Sequence, residues 1–355
     1  MKDLLNEIIR QRILVLDGAM GTMIQKHKLK EEDFRGERFR EHPRALKGNN
    51  DLLSITQPDV ILGIHRGYLE AGADLITTNT FNSNRISMAD YGMENLVYEL
   101  NYQSAVLAGK AITGFEGSAK PERHFIVGTL GPTNRTASMS ADVNDPGSRQ
   151  VTFDQLASAY AEQARGLIDG GVHILLVETI FDVLNCKAAL FAIENVFEEK
   201  GIRLPVMVSG TITDASGRTL TGQTLEAFLV SVSHFPLFSI GLNCALGAEQ
   251  LRPYIQELSA KAGFNVSAHP NAGLPNQFGE YDQSAEFMAS IAEDFMKEGW
   301  VNIIGGCCGT TPEHIRKISE KAKNHKPRII PEITRYTRLS GLEPLTITPE
   351  TNFVN

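Results

Sequence analysis

Apolar, β-branched runs alternate with amphipathic helical stretches through most of this 355-residue chain. Continuous apolar strands are typical of a sheet buried on both faces, and strands separated by helices pair in parallel through right-handed crossovers. Eight strand–helix units predict a (β/α)8 TIM barrel, an α/β fold whose active site lies at the C-terminal ends of the strands. The eight runs begin at residues 13, 73, 124, 172, 204, 236, 264 and 301.

An open, doubly wound sheet is the alternative fold. It would need a glycine-rich phosphate turn after the first strand, and the segment LDGAMGT lacks the GxGxxG spacing. We predict one barrel over residues 1–325 and a proline-spaced strap or linker over 326–355. Long polar segments at 25–56 and 131–150 follow the first and third strands, and we expect them to cover a substrate.

Charge and hydropathy disfavour several classes of partner. The formal net charge of -8 opposes binding to nucleic acid or anionic lipid. No run approaches the roughly 18 apolar residues of a membrane span, and the first twelve residues mix acids and bases at helical spacing, unlike a signal peptide. We expect a cytoplasmic protein that begins with a short surface helix and binds neither nucleic acid nor membrane.

Three of the four cysteines fall at predicted strand ends. Cys244 ends the sixth run, and Cys307 and Cys308 end the eighth, within VNIIGGCCGTTP. A barrel brings these three thiols to one rim. Three thiolates suit Zn²⁺, and three protein ligands leave the fourth position open for a substrate, as in catalytic zinc sites.

The cysteines could instead have roles that involve no metal. The adjacent pair could form a strained disulfide, which is unusual in the cytoplasm, or could simply pack in the core. Cys186 lies in a helical stretch and is expected to be a small buried hydrophobe. For the adjacent pair to reach one ion the backbone must turn sharply, which Gly305, Gly306 and Gly309 would permit.

Polar residues follow several of the remaining predicted strands. A carboxylate there could hold an ammonium group, and the amides of the DGAMG turn could hold a carboxylate, so together they suggest an amino-acid site beside a metal. Turn capping, an internal salt bridge and a structural hydrogen bond are the alternatives for Asp17, Glu178 and His269 respectively. The full set is Asp17, Gly18, Asn79, Thr80, Glu178, His269 and Asn271.

Ten motifs together resemble a known family. The chain is similar to the N-terminal homocysteine-binding zinc module of cobalamin-dependent methionine synthase, within the zinc-dependent homocysteine S-methyltransferases. The likeness covers nearly the whole chain. It is carried by LDGAMGTMIQ, DFRGERF, LKGNNDLL, TNTFNSN, GTLGPTNRTASMSADVNDP, VETIFD, SGTITDASGRTLTGQ, GLNCALG, SAHPNAGLPN and GGCCGTTPEHI.

The resemblance implies a (β/α)8 fold and a zinc ion held by Cys244, Cys307 and Cys308, with the homocysteine sulfur as the fourth ligand. It also implies Asn271, in HPNAG, as an oxygen ligand that holds zinc when substrate is absent.

The resemblance also implies where the rest of homocysteine binds. The substrate carboxylate is expected near the backbone amides of Asp17, Gly18 and Ala19, and the amino group near Glu178. The activated sulfur would attack a methyl group and give methionine.

The methyl donor implied by the resemblance is methylcobalamin supplied by another domain. The chain has no DxHxxG motif for binding cobalamin and too few residues for a folate-binding module, and RLSGLEPLTITPETNFVN resembles the linker toward that module. We therefore expect a fragment whose partners are the cobalamin-binding and folate-binding modules. The alternatives are a stand-alone methyltransferase that uses betaine or S-methylmethionine, and a barrel whose thiols are structural or redox-active.

Overall fold

The computed structural model describes residues 2–116, 124–213, 216–277 and 281–352. In these ranges eight parallel strands form one sheet in the order β1-β8-β7-β6-β5-β4-β3-β2. A parallel bridge between Leu16 and Leu75 joins the two outer strands and closes the sheet into a barrel. The strands are β1 (Leu14–Val15), β2 (Leu75–Thr77), β3 (Phe125–Leu130), β4 (Ile174–Ile180), β5 (Val206–Gly210), β6 (Ser239–Gly247), β7 (Asn265–Asn271) and β8 (Ile303–Ile304).

Helices connect successive strands and surround the sheet, so the predicted (β/α)8 TIM barrel is confirmed and the open-sheet alternative is wrong. The helices are α1 (Lys2–Gln11), α2 (Met20–Lys26), α3 (Glu31–Arg35), α4 (Leu53–Thr56), α5 (Pro58–Glu70), α6 (Arg85–Met88), α7 (Val97–Glu116), α8 (Phe153–Asp169), α9 (Val183–Lys200), α10 (Leu225–Val232), α11 (Ala248–Lys261), α12 (Ala285–Lys297) and α13 (Pro312–Ala322). Short 3-10 turns cover Asn50–Leu52, Ala89–Tyr91 and Glu94–Leu96.

The apolar core has two parts because alternate strand residues point to opposite faces of the sheet. Phe125 and Val127 pack inside the barrel, whereas Ile126 packs against the surrounding helices. Leu5 and Ile9 of α1 belong to the inner part and are buried. The expected surface helix at the N-terminus therefore packs against the barrel interior through one apolar face.

Two strands lose their regular register near their C-terminal ends. The pairing of β4 with β5 shifts between Val177 and Ile180, and that of β6 with β7 shifts between Asn243 and Gly247. Bulges of this kind often re-aim side chains beside active sites. Both irregularities lie at the rim where the polar residues collect.

The segment after α13 runs along the outside of the barrel. It contains an antiparallel hairpin of β9 (Thr337–Ser340) and β10 (Pro344–Ile347). The Ser340 hydroxyl donates to the carbonyl of Ala227 on α10 at 2.7 Å. That residues 326–355 act as a strap or as a linker toward another module stays a prediction. In the described ranges, no helix is both long and apolar enough to cross a membrane.

Candidate metal and substrate site

A cavity of about 800 Å³ opens at the C-terminal end of the barrel. Its wall combines the predicted polar residues with the three strand-end cysteines. Gln25, Lys26, Asn50 and Asp51 also line it, so the long segment after β1 contributes to the cavity as expected. The segment 131–150 contributes no residue to the described wall. The lining includes Asp17, Gly18, Ala19, Asn79, Glu178, Cys244, His269, Cys307 and Cys308.

The three thiols converge at one corner of this cavity. The sulfur atoms of Cys244, Cys307 and Cys308 all lie within 4.8 Å of one another, and the Cys244 and Cys308 sulfurs are 3.8 Å apart. A tetrahedral zinc ion with bonds of about 2.3 Å to sulfur separates its sulfur ligands by about 3.8 Å. All four cysteines are free thiols, and Cys186 is buried in α9, as predicted.

Cys244 reaches the cluster through an unusual backbone. Its φ angle is +60°, and that of Ala245 is +53°. Left-handed conformations are costly for residues with a Cβ and occur mainly where function or packing requires them. The bulge at this point turns Cys244 out of the ladder that β6 forms with β7.

The adjacent cysteines are held by a tight turn after β8. Gly309 has a φ angle of +80°, and an added Cβ there would lie 2.2 Å from Cβ of Tyr281. The hydroxyl of Thr310 donates to the Cys307 carbonyl at 2.6 Å. Of the three predicted turn glycines, only Gly309 has a positive φ angle. Gly305 and Gly306 instead allow close packing, because an added Cβ would lie 2.8 Å from Leu16 Cβ and 2.5 Å from Thr310 Cγ2 respectively.

Hydrogen bonds among the three thiols shift their pKa values in opposite directions. Hydrogen bonds from the thiols of Cys244 and Cys307 lower the pKa of Cys308. The hydrogen bond between Cys307 and Cys244 raises the pKa of Cys307, and burial adds to that effect. A divalent cation would balance the charge of all three thiolates, which is the condition for zinc binding by cysteine.

Two carboxyl groups that line the cavity, those of Asp17 and Glu178, repel each other when both are charged. Burial raises the pKa of Glu178 to about 7, and the negative charge of Cys308 adds to it. Burial also raises the pKa of Asp17, although Thr77 donates to its carboxylate from the backbone at 2.8 Å, and the charge of Glu178 raises it further. An ammonium group bound here would relieve this repulsion.

The amides of the turn after β1 differ in their availability. The Asp17 amide donates to the Leu75 carbonyl at 2.9 Å, and the Ala19 amide donates to the Thr310 hydroxyl at 3.1 Å. In the described part of the chain the Gly18 amide has no acceptor. A Cβ at Gly18 would lie 2.7 Å from the Thr310 hydroxyl, so only glycine fits beside this turn.

Comparison with known proteins places the chain in a family. The family model described as homocysteine S-methyltransferase matches residues 14–322. The chain belongs to the homocysteine S-methyltransferase family. Its fold is similar to that of the Escherichia coli homocysteine methyltransferase MmuM in its metallated form, with a TM-score of 0.68, 20% identity, and coverage of 90% of this chain and 99% of that chain. The oxidized form of MmuM gives a TM-score of 0.68 and 21% identity, with 90% and 98% coverage.

Membership in the homocysteine S-methyltransferase family makes methyl transfer to homocysteine the reaction class of this chain. The family is zinc-dependent, and the three convergent cysteines provide a fitting set of ligands. Soft sulfur donors at this separation favour zinc over magnesium or calcium, which prefer oxygen.

The two predicted polar residues of β7 are both buried with an unsatisfied atom. In the described part of the chain, neither Oδ1 of Asn271 nor Nε2 of His269 has a hydrogen-bond partner. Burial lowers the pKa of His269 to about 4, so its ring is neutral at pH 7. The structural hydrogen bond considered for His269 is absent at Nε2. His269 lines the cavity, whereas Asn271 is not among the lining residues.

Sequence reasoning missed Asn243, Thr179 and Thr310, which connect the elements of the site. Asn243 stands immediately before Cys244 in GLNCALG, and a polar residue inside a buried strand was the available signal. Thr310 follows the cysteine pair in GGCCGTTP, and its position there is typical of an ordinary turn residue. The role of Thr179, whose φ angle is +54°, left no signal in the sequence.

Proposed function

We propose that this chain binds Zn²⁺ through Cys244, Cys307 and Cys308 and activates homocysteine for methyl transfer from methylcobalamin, giving methionine. The observation that carries the proposal is the convergence of three thiols in a cavity that also holds a buried carboxylate and a free backbone amide. Zinc, when bound, would lower the pKa of the homocysteine thiol and keep its sulfur available as a nucleophile.

The remaining groups of the cavity suit the amino-acid end of homocysteine. Glu178 would accept from the substrate ammonium, whose positive charge offsets the repulsion between Glu178 and Asp17. The turn at Asp17, Gly18 and Ala19 would hold the substrate carboxylate, with the Gly18 amide as the free donor. These contacts orient the substrate sulfur toward the thiol cluster.

Asn271 is proposed as the oxygen ligand that completes the zinc site when homocysteine is absent. The support is its buried Oδ1, which lacks a partner among the described residues. The three cysteines would supply three ligands and leave a fourth position for either this oxygen or the homocysteine sulfur, which is the ligand count of a catalytic zinc site.

Exposed apolar side chains near the C-terminal ends of the strands support methyl donation from another protein module. Exposed apolar side chains stand on the segments after five strands, where a large partner could cover them. The motifs shared with cobalamin-dependent methionine synthase favour methylcobalamin, held by a separate module, as the donor. A folate-binding module would then restore the methyl group of the cobalamin. The exposed side chains are Phe81, Val143, Leu184, Leu220 and Leu274.

A stand-alone enzyme is the second candidate, supported by the size of the cavity. Homocysteine fills only part of about 800 Å³. Asp51 also lines this cavity, and burial raises the pKa of its carboxyl group to about 6. A small cationic donor such as S-methylmethionine or betaine would find a counter-charge there.

A panel of methyl donors tests the donor assignment. Zinc-loaded protein is incubated with homocysteine and either free methylcobalamin, S-methylmethionine or betaine, and methionine is measured. We expect methionine only with methylcobalamin, together with the spectral change that accompanies loss of its methyl group. Methionine formed from either small donor without cobalamin would establish the stand-alone enzyme instead.

A further inference from the structure

Asn243 lies where the thiol cluster meets the proposed ammonium site. It belongs to β6, is 1% exposed, and directly precedes Cys244. Its side-chain NH2 group donates to the Thr179 hydroxyl at 2.8 Å and to Glu178 Oε2 at 3.3 Å, and it lies 3.8 Å from the Cys307 sulfur. One buried amide therefore contacts both a zinc-ligand candidate and the carboxylate that faces the substrate.

The orientation of this amide is fixed by its other edge. The backbone N–H of Thr179 donates to Asn243 Oδ1 at 3.0 Å, and the Ser209 hydroxyl lies 2.7 Å from the same oxygen. A backbone N–H can only donate, so the atom that meets it must be the carbonyl oxygen. The NH2 group is consequently directed at Glu178 and Cys307.

Asn243 also stabilises a strained residue. Thr179 has a φ angle of +54°, which is unfavourable for a β-branched side chain, and Asn243 bonds both its amide and its hydroxyl. This conformation follows directly after Glu178, so it sets where that carboxylate leaves the strand. Without the two bonds, Thr179 would relax toward negative φ and displace Glu178.

We propose that Asn243 is a positioning residue that holds Cys307 and Glu178 in register, so that zinc and the homocysteine ammonium bind in one geometry. This inference rests on the proposed function. Hydrogen bonds to metal ligands orient them, and loss of such a bond typically costs about 10- to 100-fold in metal affinity. A primary amide is suited to this position because it accepts at one edge and donates at the other.

Asn243→Ala tests the proposal against Ser209→Ala, a matched control that removes one bond to the same oxygen and leaves Glu178 and Cys307 untouched. Zinc affinity is measured by competition with a chromogenic chelator. Zinc-saturated protein is then titrated with homocysteine and with 4-mercaptobutanoate, which lacks only the amino group. We expect Asn243→Ala to weaken zinc binding by about tenfold or more.

We also expect Asn243→Ala to weaken homocysteine binding by about tenfold and 4-mercaptobutanoate binding much less, because loss of Glu178 positioning affects only a ligand that carries the ammonium. Ser209→Ala should change neither value appreciably. If Asn243→Ala fails to fold, the Asn243→Ala/Thr179→Gly double variant is measured, because glycine adopts positive φ without support.

Two results would overturn the proposal. One is that Asn243→Ala leaves both zinc affinity and the homocysteine preference at wild-type values. The other is that Ser209→Ala weakens zinc and homocysteine binding as much as Asn243→Ala does, which would mean that Asn243 only contributes to packing. Failure of the wild-type protein to bind zinc or homocysteine would refute the proposed function, and the wild-type titrations distinguish that outcome.

Discussion

The three clustered cysteines are brought together by two different backbone conformations. Cys244 uses a left-handed residue in a bulged strand, and the adjacent pair uses a turn that ends at Gly309. The convergence was predictable because parallel strands of a barrel end at one rim. The left-handed conformations of Cys244 and Thr179 could not be predicted, because they depend on contacts between side chains that are distant in sequence.

Zinc binding should fail when any one of the three clustered cysteines is lost. Replacing Cys244, Cys307 or Cys308 by alanine leaves two thiolates, which form a much weaker site. Metal analysis of reduced, dialysed protein should show severe zinc loss in each variant. Cys186→Ala is the matched control and should retain zinc, because that thiol is buried in α9. Full zinc retention in all three cluster variants would remove the metal assignment.

Glu178→Gln should weaken homocysteine binding by about 10- to 100-fold while zinc stays bound, because it removes a charged partner of the ammonium but no metal ligand. The loss should be smaller for 4-mercaptobutanoate. Calorimetric titration of the zinc-loaded variant with both thiols measures the difference. Equal losses for the two ligands would mean that Glu178 only supports the fold.

Elements of this barrel differ in how far their sequences predict them. The strands were predictable because burial on both faces requires continuous apolar runs. The inward packing of α1 was missed, since its charged residues suggested a surface position, although Leu5 and Ile9 are buried in the inner core and Leu4 and Ile8 pack against it. The β9–β10 hairpin was also missed, because its apolar residues Leu339 and Leu345 are exposed and mark no buried face.

Helix α5 contains a histidine that should make the fold sensitive to acid. His65 is fully buried, neither ring nitrogen has a partner in the described part of the chain, and burial lowers its pKa to about 4. The folded pKa lies below the unfolded value of about 6.5, so this group contributes stability above pH 6.5 that is lost as pH falls through 4. The loss amounts to about 3 kcal/mol.

His65→Leu should remove this part of the pH dependence. Urea unfolding at pH 7, 5.5 and 4 gives the free energy of unfolding of the wild type and the variant. The difference between pH 7 and pH 4 should shrink by about 3 kcal/mol in the variant. Identical pH profiles for the two proteins would show that His65 does not remain neutral in the folded state.

The barrel as a whole is tied to its C-terminal segment by a buried arginine. Arg328 donates to the carbonyls of Ser259, Ala262 and Phe264 at 2.6 to 2.9 Å, around the end of α11. Burial lowers the pKa of its guanidinium to about 10. The bonds to Ser259 and Ala262 satisfy carbonyls that the helix end leaves without internal partners.

Arg328→Met should lower the free energy of unfolding by about 3 kcal/mol, because several carbonyls lose charged donors at once. Arg335→Met, at an exposed position of the same segment, is the control and should change stability by less than about 0.5 kcal/mol. Chemical denaturation of both variants provides the comparison. An equal effect of the two substitutions would contradict the anchoring role of Arg328.

Zinc-edge X-ray absorption on the whole protein, with and without homocysteine, tests the central claim most directly. Before homocysteine is added, we predict three sulfur ligands at about 2.3 Å and one lighter ligand. Saturation with homocysteine should replace the lighter ligand with a fourth sulfur. A sulfur count that stays at three at saturation, or that begins below three, would contradict the account.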